Sequence, residues 1–265
     1  MIRNGVDTSP SVGGTTVAAS PTGRLDTGLA LTTSIVGLVA LVTGFTTPPR
    51  SGPFCRTDCL SYPYTDAAAF VTRDYWWLYP QSVLVLLVLV LLVRIHAVGP
   101  RTAQQFSGIA VALGSVAVAV LLIDYAIQVA VLQPSLTLGE TAGLSSISQY
   151  NPHGVFIALE NLGYLILGLA MLTIAAVFSR PSRLERGLRW LFLVGGALTV
   201  AALPALAITY GADLEYRYEV AAIAVFWITA IVGGVLLVRW FGSPVKAPPR
   251  AAVPAREQAG PLPPR

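Results

Sequence analysis

Six long apolar stretches, separated by polar or charged segments, divide the sequence. Each holds about 20 mostly apolar residues, the length that an α-helix needs to cross the hydrocarbon core of a bilayer. The stretches cover residues 28–46, 75–96, 106–132, 154–178, 188–210 and 220–241. Alternating segments of about ten residues, which are typical of a transmembrane barrel, do not occur. The pattern therefore predicts an all-α fold, a polytopic integral membrane bundle with six transmembrane helices.

Small, polar and proline-rich segments bound this region at both ends. Residues 1–27 are rich in Gly, Ser, Thr and Pro, and no basic segment leads directly into a short apolar core as it does in a signal peptide. Residues 242–265 contain seven prolines, a composition typical of an extended tail. We expect a disordered cytoplasmic tail over 1–27, a transmembrane domain over 28–241 with an external Cys-bearing loop at about 47–74, and a Pro-rich cytoplasmic tail.

The composition excludes several classes of protein. Charged residues make up 11% of the chain and hydrophobic residues 54%, whereas soluble domains carry about 25% charged residues. A soluble globular protein, a disordered chain and a small disulfide-stapled domain are therefore excluded. Lys246 is the only lysine against 16 arginines, a codon-usage signature that indicates a bacterial protein.

The distribution of basic residues predicts the orientation. With both termini inside, the inner segments hold 13 Lys and Arg residues and the outer loops hold four. Because cytoplasmic loops carry the excess of positive charge, we expect a multi-pass protein of the bacterial plasma membrane with both termini in the cytoplasm. The basic residues are scattered, so they predict contact with the lipid bilayer and no nucleic acid binding. A homodimer and a complex with a membrane partner subunit are the alternatives for assembly.

Several cofactor chemistries lack the residues that they need. Retinal requires a Schiff-base lysine inside the bundle, but Lys246 lies in the tail. His96 and His153 fall at opposite ends of the predicted bundle, so they cannot share one haem iron. No HExxH, GxSxG or Walker motif occurs. We therefore expect no cofactor and no metal.

Two cysteines, Cys55 and Cys59, lie in the predicted outer loop. Outside a bacterial plasma membrane the environment is oxidising, and this spacing closes a small ring if the backbone turns. A structural disulfide is the first interpretation. A free or redox-active thiol pair and a metal site completed by Asp58 are the alternatives.

Two acidic residues, Asp124 and Glu160, lie within predicted membrane helices. Each costs roughly 2.5–3.5 kcal/mol at the centre of a helix, so such residues usually face the bundle and have a function. Both lie roughly 9–12 Å below the predicted outer boundary. We expect them to converge, share a proton and floor an outward-facing polar pocket. Its other candidate residues share these helix faces or lie close to them: Gln128, Tyr164, His153, Tyr125 and Asn161.

Three functions compete for this pattern. The first is a transporter or ligand sensor for a small solute, a cation or a proton, with Asp124 and Glu160 in its site. The second is a non-catalytic scaffold or accessory subunit, in which the two acids belong to a structural hydrogen-bond network. The third is a membrane enzyme that uses Glu160 and His153 as general acid and base across a bound substrate.

Overall fold

The structure of the protein is a computed structural model that describes residues 21–243 of the 265-residue chain. Most of the two predicted tails, residues 1–20 and 244–265, lies outside the described residues. Every regular element between residues 21 and 243 is helical. The predicted all-α class is therefore confirmed.

Eight α-helices occur among the described residues. In chain order they are α1 (Pro21–Thr46), α2 (Val71–Asp74), α3 (Leu78–Val98), α4 (Gln104–Ile127), α5 (Gln133–Thr137), α6 (Val155–Ile174), α7 (Arg183–Tyr210) and α8 (Arg217–Gly242). Six helical segments, built on α1, α3, α4, α6, α7 and α8, are long and apolar enough to cross a bilayer. The chain is therefore a multi-pass integral membrane protein, as predicted.

One span contains a change of helical pitch. The segment Arg101–Thr137 is continuous, but Gln128–Leu132 forms a π-helical turn between α4 and α5. A π turn inserts a residue into the helix and is frequent at functional sites. Here it begins four residues after Asp124.

The helix starts differ from the predicted starts where charged residues enter a helix. α1 begins at Pro21 rather than at residue 28. Asp26, in this added segment, is buried and forms an ion pair with Arg94 at 2.6 Å. α7 begins at Arg183 rather than at residue 188, because the Ser182 side chain caps it by accepting a hydrogen bond from the Glu185 backbone N–H (3.1 Å). Hydropathy therefore misses the ends of helices that carry charged residues.

The six spanning helices form a closed ring. Each packs against its neighbour in the order α1, α3, α4, α6, α7, α8 and back to α1, and α6 also contacts α8 across the centre. In the most apolar windows of α6 and α8 half of the residues are buried, against 22% in α7. Among the spans between residues 21 and 243, α6 and α8 are therefore the most enclosed.

Close helix contacts depend on small residues at two crossings. A Cβ atom at Gly163 of α6 would lie 2.6 Å from Leu121 of α4, and one at Gly234 of α8 would lie 2.6 Å from the Ala30 carbonyl of α1. Such contacts are typical of membrane helices, which have little hydrophobic drive to associate and rely on van der Waals packing.

The connections form two ends of the bundle. We call the end that carries residues 47–77, 138–154 and 211–216 the loop end; the opposite end carries residues 99–103 and 178–182. At the loop end Cys55 and Cys59 form a disulfide with an S–S distance of 2.02 Å. The loop end thus holds most of the non-helical chain between residues 21 and 243.

Candidate functional site

Three acidic side chains gather near the loop end of the bundle interior. Asp124 of α4 is 1% exposed and Glu160 of α6 is 0% exposed. Glu219, in the first turn of α8, joins them and interacts electrostatically with both. The last apolar stretch of the sequence begins at residue 220, so hydropathy predicts Glu219 outside the membrane. The site therefore contains an acid that hydropathy alone had assigned to a loop.

A chain of buried hydrogen bonds runs to Glu160 from three other helices. The Trp227 indole N–H donates to Gln81 Oε1 (2.7 Å), and Gln81 Nε2 donates to the Tyr164 hydroxyl (2.7 Å). The Tyr164 and Tyr125 hydroxyls are 2.8 Å apart, and the Tyr125 hydroxyl donates to Glu160 Oε1 at 2.8 Å. Because the Tyr125 proton is committed to Glu160, Tyr164 must donate to Tyr125. Every donor in the chain therefore points towards Glu160.

The second oxygen of Glu160 meets Glu219. No N–H or hydroxyl donor among the described residues reaches Glu160 Oε2 or Glu219 Oε2, and both atoms are buried. The two carboxyl groups nevertheless lie within hydrogen-bonding reach of each other. A hydrogen bond between two carboxyl groups requires a proton on one of them. Because Glu160 Oε1 already accepts from Tyr125, a single proton held between the two carboxyl groups would link them.

The third acid, Asp124, is less well satisfied. Its carboxyl group interacts electrostatically with Glu160, but no donor in the described chain reaches the buried Oδ2 atom. The three acids do not form a metal site: residues 21–243 contain no group of three or more His, Cys, Asp or Glu side chains that could hold a metal ion.

The remaining predicted site residues take different places. Gln128 connects the π turn to the loop end, because its Nε2 donates to the Ile147 carbonyl (2.6 Å) and its Oε1 accepts from the Gln149 N–H (3.1 Å). Asn161 is partly buried, and its Oδ1 has no partner among the described residues. These two amides lie beside the acids in sequence but are not hydrogen-bonded to them.

His153 lies at the surface of the loop end. Its ring is exposed, and Nε2 is 3.2 Å from the Ala212 carbonyl. Glu160, by contrast, is fully buried. The geometry therefore offers no support for an enzyme that uses these two side chains as an acid–base pair.

A buried ion pair organises the loop end above the acids. Arg50 Nε is 2.9 Å from Asp74 Oδ2, and both side chains are almost fully buried. Arg50 Nη1 is 3.3 Å from Asp58, which lies inside the disulfide ring, and the guanidinium lies 3.9 Å above the Phe70 ring. Burial alone would lower the pKa of Arg50, but the hydrogen bond to Asp74 and the nearby carboxylate charges outweigh it and raise that pKa. Arg50 therefore stays charged and holds the disulfide loop against α2.

Tyrosine hydroxyls join the loop segments to one another. The Tyr150 hydroxyl donates to Asp74 at 3.3 Å, and burial together with the Asp74 charge raises the pKa of Tyr150. The Tyr216 hydroxyl is 2.6 Å from Ser51 Oγ and donates to the Gln149 carbonyl at 3.1 Å. Burial also raises the pKa of Tyr216. Both phenols are therefore neutral near pH 7.

A cavity of about 330 Å³ lies between this layer and the ends of α1 and α8. Its lining is mainly apolar, and seven aromatic side chains contribute to it: Phe45, Phe54, Trp77, Tyr150, Phe156, Tyr216 and Trp227. The polar residues Thr47, Arg50, Ser51, Gln149 and Glu219 also line it. The predicted site residues do not line this cavity, and it is not the polar pocket that the sequence suggested. Its roof does include residues 47–51 and Phe54 of the Cys-bearing loop.

The cavity and the acid network meet at two residues of α8. Glu219 and Trp227 both line the cavity. Each also enters the buried network, Glu219 through Glu160 and Trp227 through Gln81. A molecule bound between Glu219 and Trp227 would therefore touch both ends of one hydrogen-bonded network.

Comparison with known proteins assigns the chain to no family. The chain matches no protein-family model, no curated protein and no solved structure. The six-helix ring therefore brings no function by likeness, and function rests on the residues of the site.

Proposed function

We propose that the protein binds a small solute in the loop-end cavity, as a transporter or as a ligand sensor. One observation carries this proposal: Glu219 and Trp227 line the cavity and also form the two ends of the buried network through Gln81, Tyr164, Tyr125 and Glu160. The volume of about 330 Å³ lies at the small end of the range for ligand sites. An occupant would therefore bias the packing of α3, α4, α6 and α8 together.

A population shift explains how binding in the cavity can act on the buried hydrogen-bond network. A ligand moves a protein between two arrangements only if it interacts differently with each of them. A solute that reorients Trp227 or Glu219 would break hydrogen bonds that other helices share, so its binding energy would differ between the two arrangements. Transport and sensing both need this property, and they differ in whether the solute leaves on the other side.

A structural network without a ligand is the competing function. Its support is that every hydrogen bond between Trp227 and Glu160 in the buried network is formed, as it would be in a scaffold. Against it stand the buried Asp124 Oδ2, which no described donor reaches, and the cavity that Glu219 lines. A purely structural role leaves these features without a purpose.

Blocking the cavity tests the proposal. Ala224 lines it, so Ala224→Phe should fill much of the space, whereas Ala119 of α4 is exposed and Ala119→Phe is the matched control. Small molecules would be extracted from each purified protein and identified by mass spectrometry. We expect a compound that the wild type and Ala119→Phe retain and Ala224→Phe loses. Identical sets of compounds from all three proteins would contradict solute binding.

We also propose that the loop end faces the outside of a bacterial plasma membrane. The arginine-rich start of α7, with Arg183, Arg186 and Arg189, lies at the opposite end, where the excess of positive charge favours the cytoplasm. A disulfide in the loop end fits an oxidising compartment. A reporter fused after Arg265 should read cytoplasmic and one inserted near Ser145 external. Opposite readings would reverse the assignment.

A further inference from the structure

The wall of the cavity has the chemistry of a site for an organic cation. Seven of its residues are aromatic, and Glu219 is the only acid that lines it. Aromatic faces attract a cation through their quadrupole, by about 0.5–2 kcal/mol for each favourable contact. A carboxyl group at one end of an aromatic chamber suits a ligand with one positive charge and an apolar body.

The charges around the cavity disfavour an anion. Arg50 is the one basic residue in its lining, and its guanidinium already contacts Asp74 at 2.9 Å, Asp58 at 3.3 Å and the Phe70 ring at 3.9 Å. Two carboxylates therefore oppose one guanidinium. An anion would meet a net negative surrounding and no free donor of positive charge.

A metal cation also fits poorly. Hard cations need several oxygen ligands at short range. The described residues offer no group of three or more side chains that could hold a metal ion, and the lining of the cavity is mainly apolar. An organic cation needs only one counter-charge, because its apolar body is stabilised by contact with the aromatic rings.

Glu219, which would balance the charge of the cation, lies next to Glu160. Glu160 is 0% exposed, and its Oε2 and that of Glu219 receive no other described donor, so a hydrogen bond between the two carboxyl groups requires a proton on one of them. Other titratable groups near this pair come from three sources. Asp124 and Tyr125 face it from α4, Tyr164 from α6, and Tyr216, Tyr150 and Arg50 from the loop end.

We propose that the solute is a monovalent organic cation, a protonated amine or a quaternary ammonium compound, that binds beside Glu219 and displaces the proton shared by Glu160 and Glu219. The proton leaves to water at the loop end as the cation enters. The net charge of the site is therefore the same before and after exchange. This inference rests on the proposed solute-binding function and identifies the class of ligand.

Proton counting on the full-length protein in detergent micelles tests the exchange. Benzyltrimethylammonium is a suitable probe, because it has a permanent charge and no titratable proton. Calorimetric titration in two buffers of different ionisation enthalpy should give about one proton released per cation bound. While the pair still holds its proton, affinity should rise about tenfold for each unit of pH. Both measurements need only the wild-type protein.

Two substitutions test whether the cation binds in the cavity beside Glu219. Glu219→Gln keeps the size of the side chain and removes its charge, so affinity should fall at least about tenfold and the dependence on pH should disappear. Glu140→Gln, at an exposed position of the loop end, is the matched control and should bind as the wild type does. Ala224→Phe should also block binding, and it leaves the acids intact if Glu219→Gln fails to fold.

The outcomes separate this inference from the proposed function. If 2-methyl-1-phenyl-2-propanol, a neutral molecule of similar shape, binds as tightly as the cation and Ala224→Phe blocks it, the cation class is overturned and solute binding stands. Cation binding without proton release, at an affinity independent of pH, would overturn the exchange. If neither probe binds and Ala224→Phe retains the same compounds as the wild type, both proposals fail.

Discussion

Replacement of Asp74 by Asn should destabilise the loop end more than any other isosteric change of a loop-end acid. Asp74 closes α2 and is 0% exposed, and its Oδ2 accepts hydrogen bonds from Arg50 Nε (2.9 Å) and from the Tyr150 hydroxyl (3.3 Å). Asn keeps the size and one acceptor oxygen. It removes the negative charge that faces a buried guanidinium.

The cost follows from the charge that is left behind. Removing one partner of a buried ion pair typically costs 3–5 kcal/mol, because the other charge stays buried without compensation. Arg50 keeps two weaker partners in the variant: Asp58, whose side chain is 71% exposed, and the Phe70 ring. An exposed carboxylate contributes little. We therefore expect the free energy of unfolding to fall by about 3 kcal/mol, the low end of that range.

Unfolding of the purified protein in mixed micelles by added sodium dodecyl sulfate, followed by circular dichroism, measures this change. Asp66→Asn is the matched control, since Asp66 is exposed in the same loop, and it should alter stability by no more than about 0.5 kcal/mol. The double variant Asp74→Asn with Arg50→Met should recover part of the loss, because neither charge is then buried alone. A loss below about 1 kcal/mol for Asp74→Asn, or no recovery in the double variant, would refute the assigned role of the pair.

Two further predictions concern the network and the disulfide. Gln81→Leu removes the bonds to Trp227 and Tyr164 and should lower the free energy of unfolding by roughly 1–3 kcal/mol in the same assay, while Gln104→Leu, at an exposed position, should leave it nearly unchanged; equal effects would contradict the role of the network. Cys55 and Cys59 should not react with a maleimide in the unreduced protein and should both react after addition of a reductant, so immediate labelling would exclude the disulfide.

The sequence predicts the number of spans well because lipid imposes a local rule. A helix that crosses the hydrocarbon core must be apolar over about 20 residues, whatever its neighbours are. The same rule fails at the helix ends. Asp26, near the start of α1, and Glu185, in the first turn of α7, lie in helices because Arg94 and Ser182 respectively stabilise them there, and the first of these partners is distant in sequence. The mean hydropathy falls at such charged residues, so the span predicted from the sequence begins after them.

The site was predictable only in part, for a related reason. Asp124 and Glu160 are conspicuous because a charge in an apolar stretch is expensive, and the spacing of four residues places Tyr164 beside Glu160. Tyr125, by contrast, bonds to Glu160 from another helix, and that contact depends on how α4 is rotated against α6. Gln81 was visible as a polar residue within an apolar stretch, but nothing local in the sequence connects it to Trp227.

The cavity lies beyond local patterns altogether. Its lining combines the end of α1, the start of α8 and three loop segments. The path of residues 47–54 is set by long-range contacts, such as those of Arg50 with Asp74 and of Ser51 with the Tyr150 carbonyl (2.5 Å). Only the assembled chain shows that Glu219 lines an aromatic chamber.

The two acids identified in the sequence should respond in opposite directions when they are replaced by Leu. Glu160 accepts a hydrogen bond from Tyr125 and meets Glu219, so Glu160→Leu strands two buried polar groups and should cost about 1–3 kcal/mol. No described donor reaches Asp124 Oδ2, so Asp124→Leu removes an unsatisfied buried group and should raise the free energy of unfolding by roughly 1 kcal/mol or more. Unfolding in mixed micelles measures both variants against the wild type. A loss of stability in Asp124→Leu as large as that in Glu160→Leu would mean that Asp124 holds the bundle together. A gain would mean that folding does not need this carboxyl group.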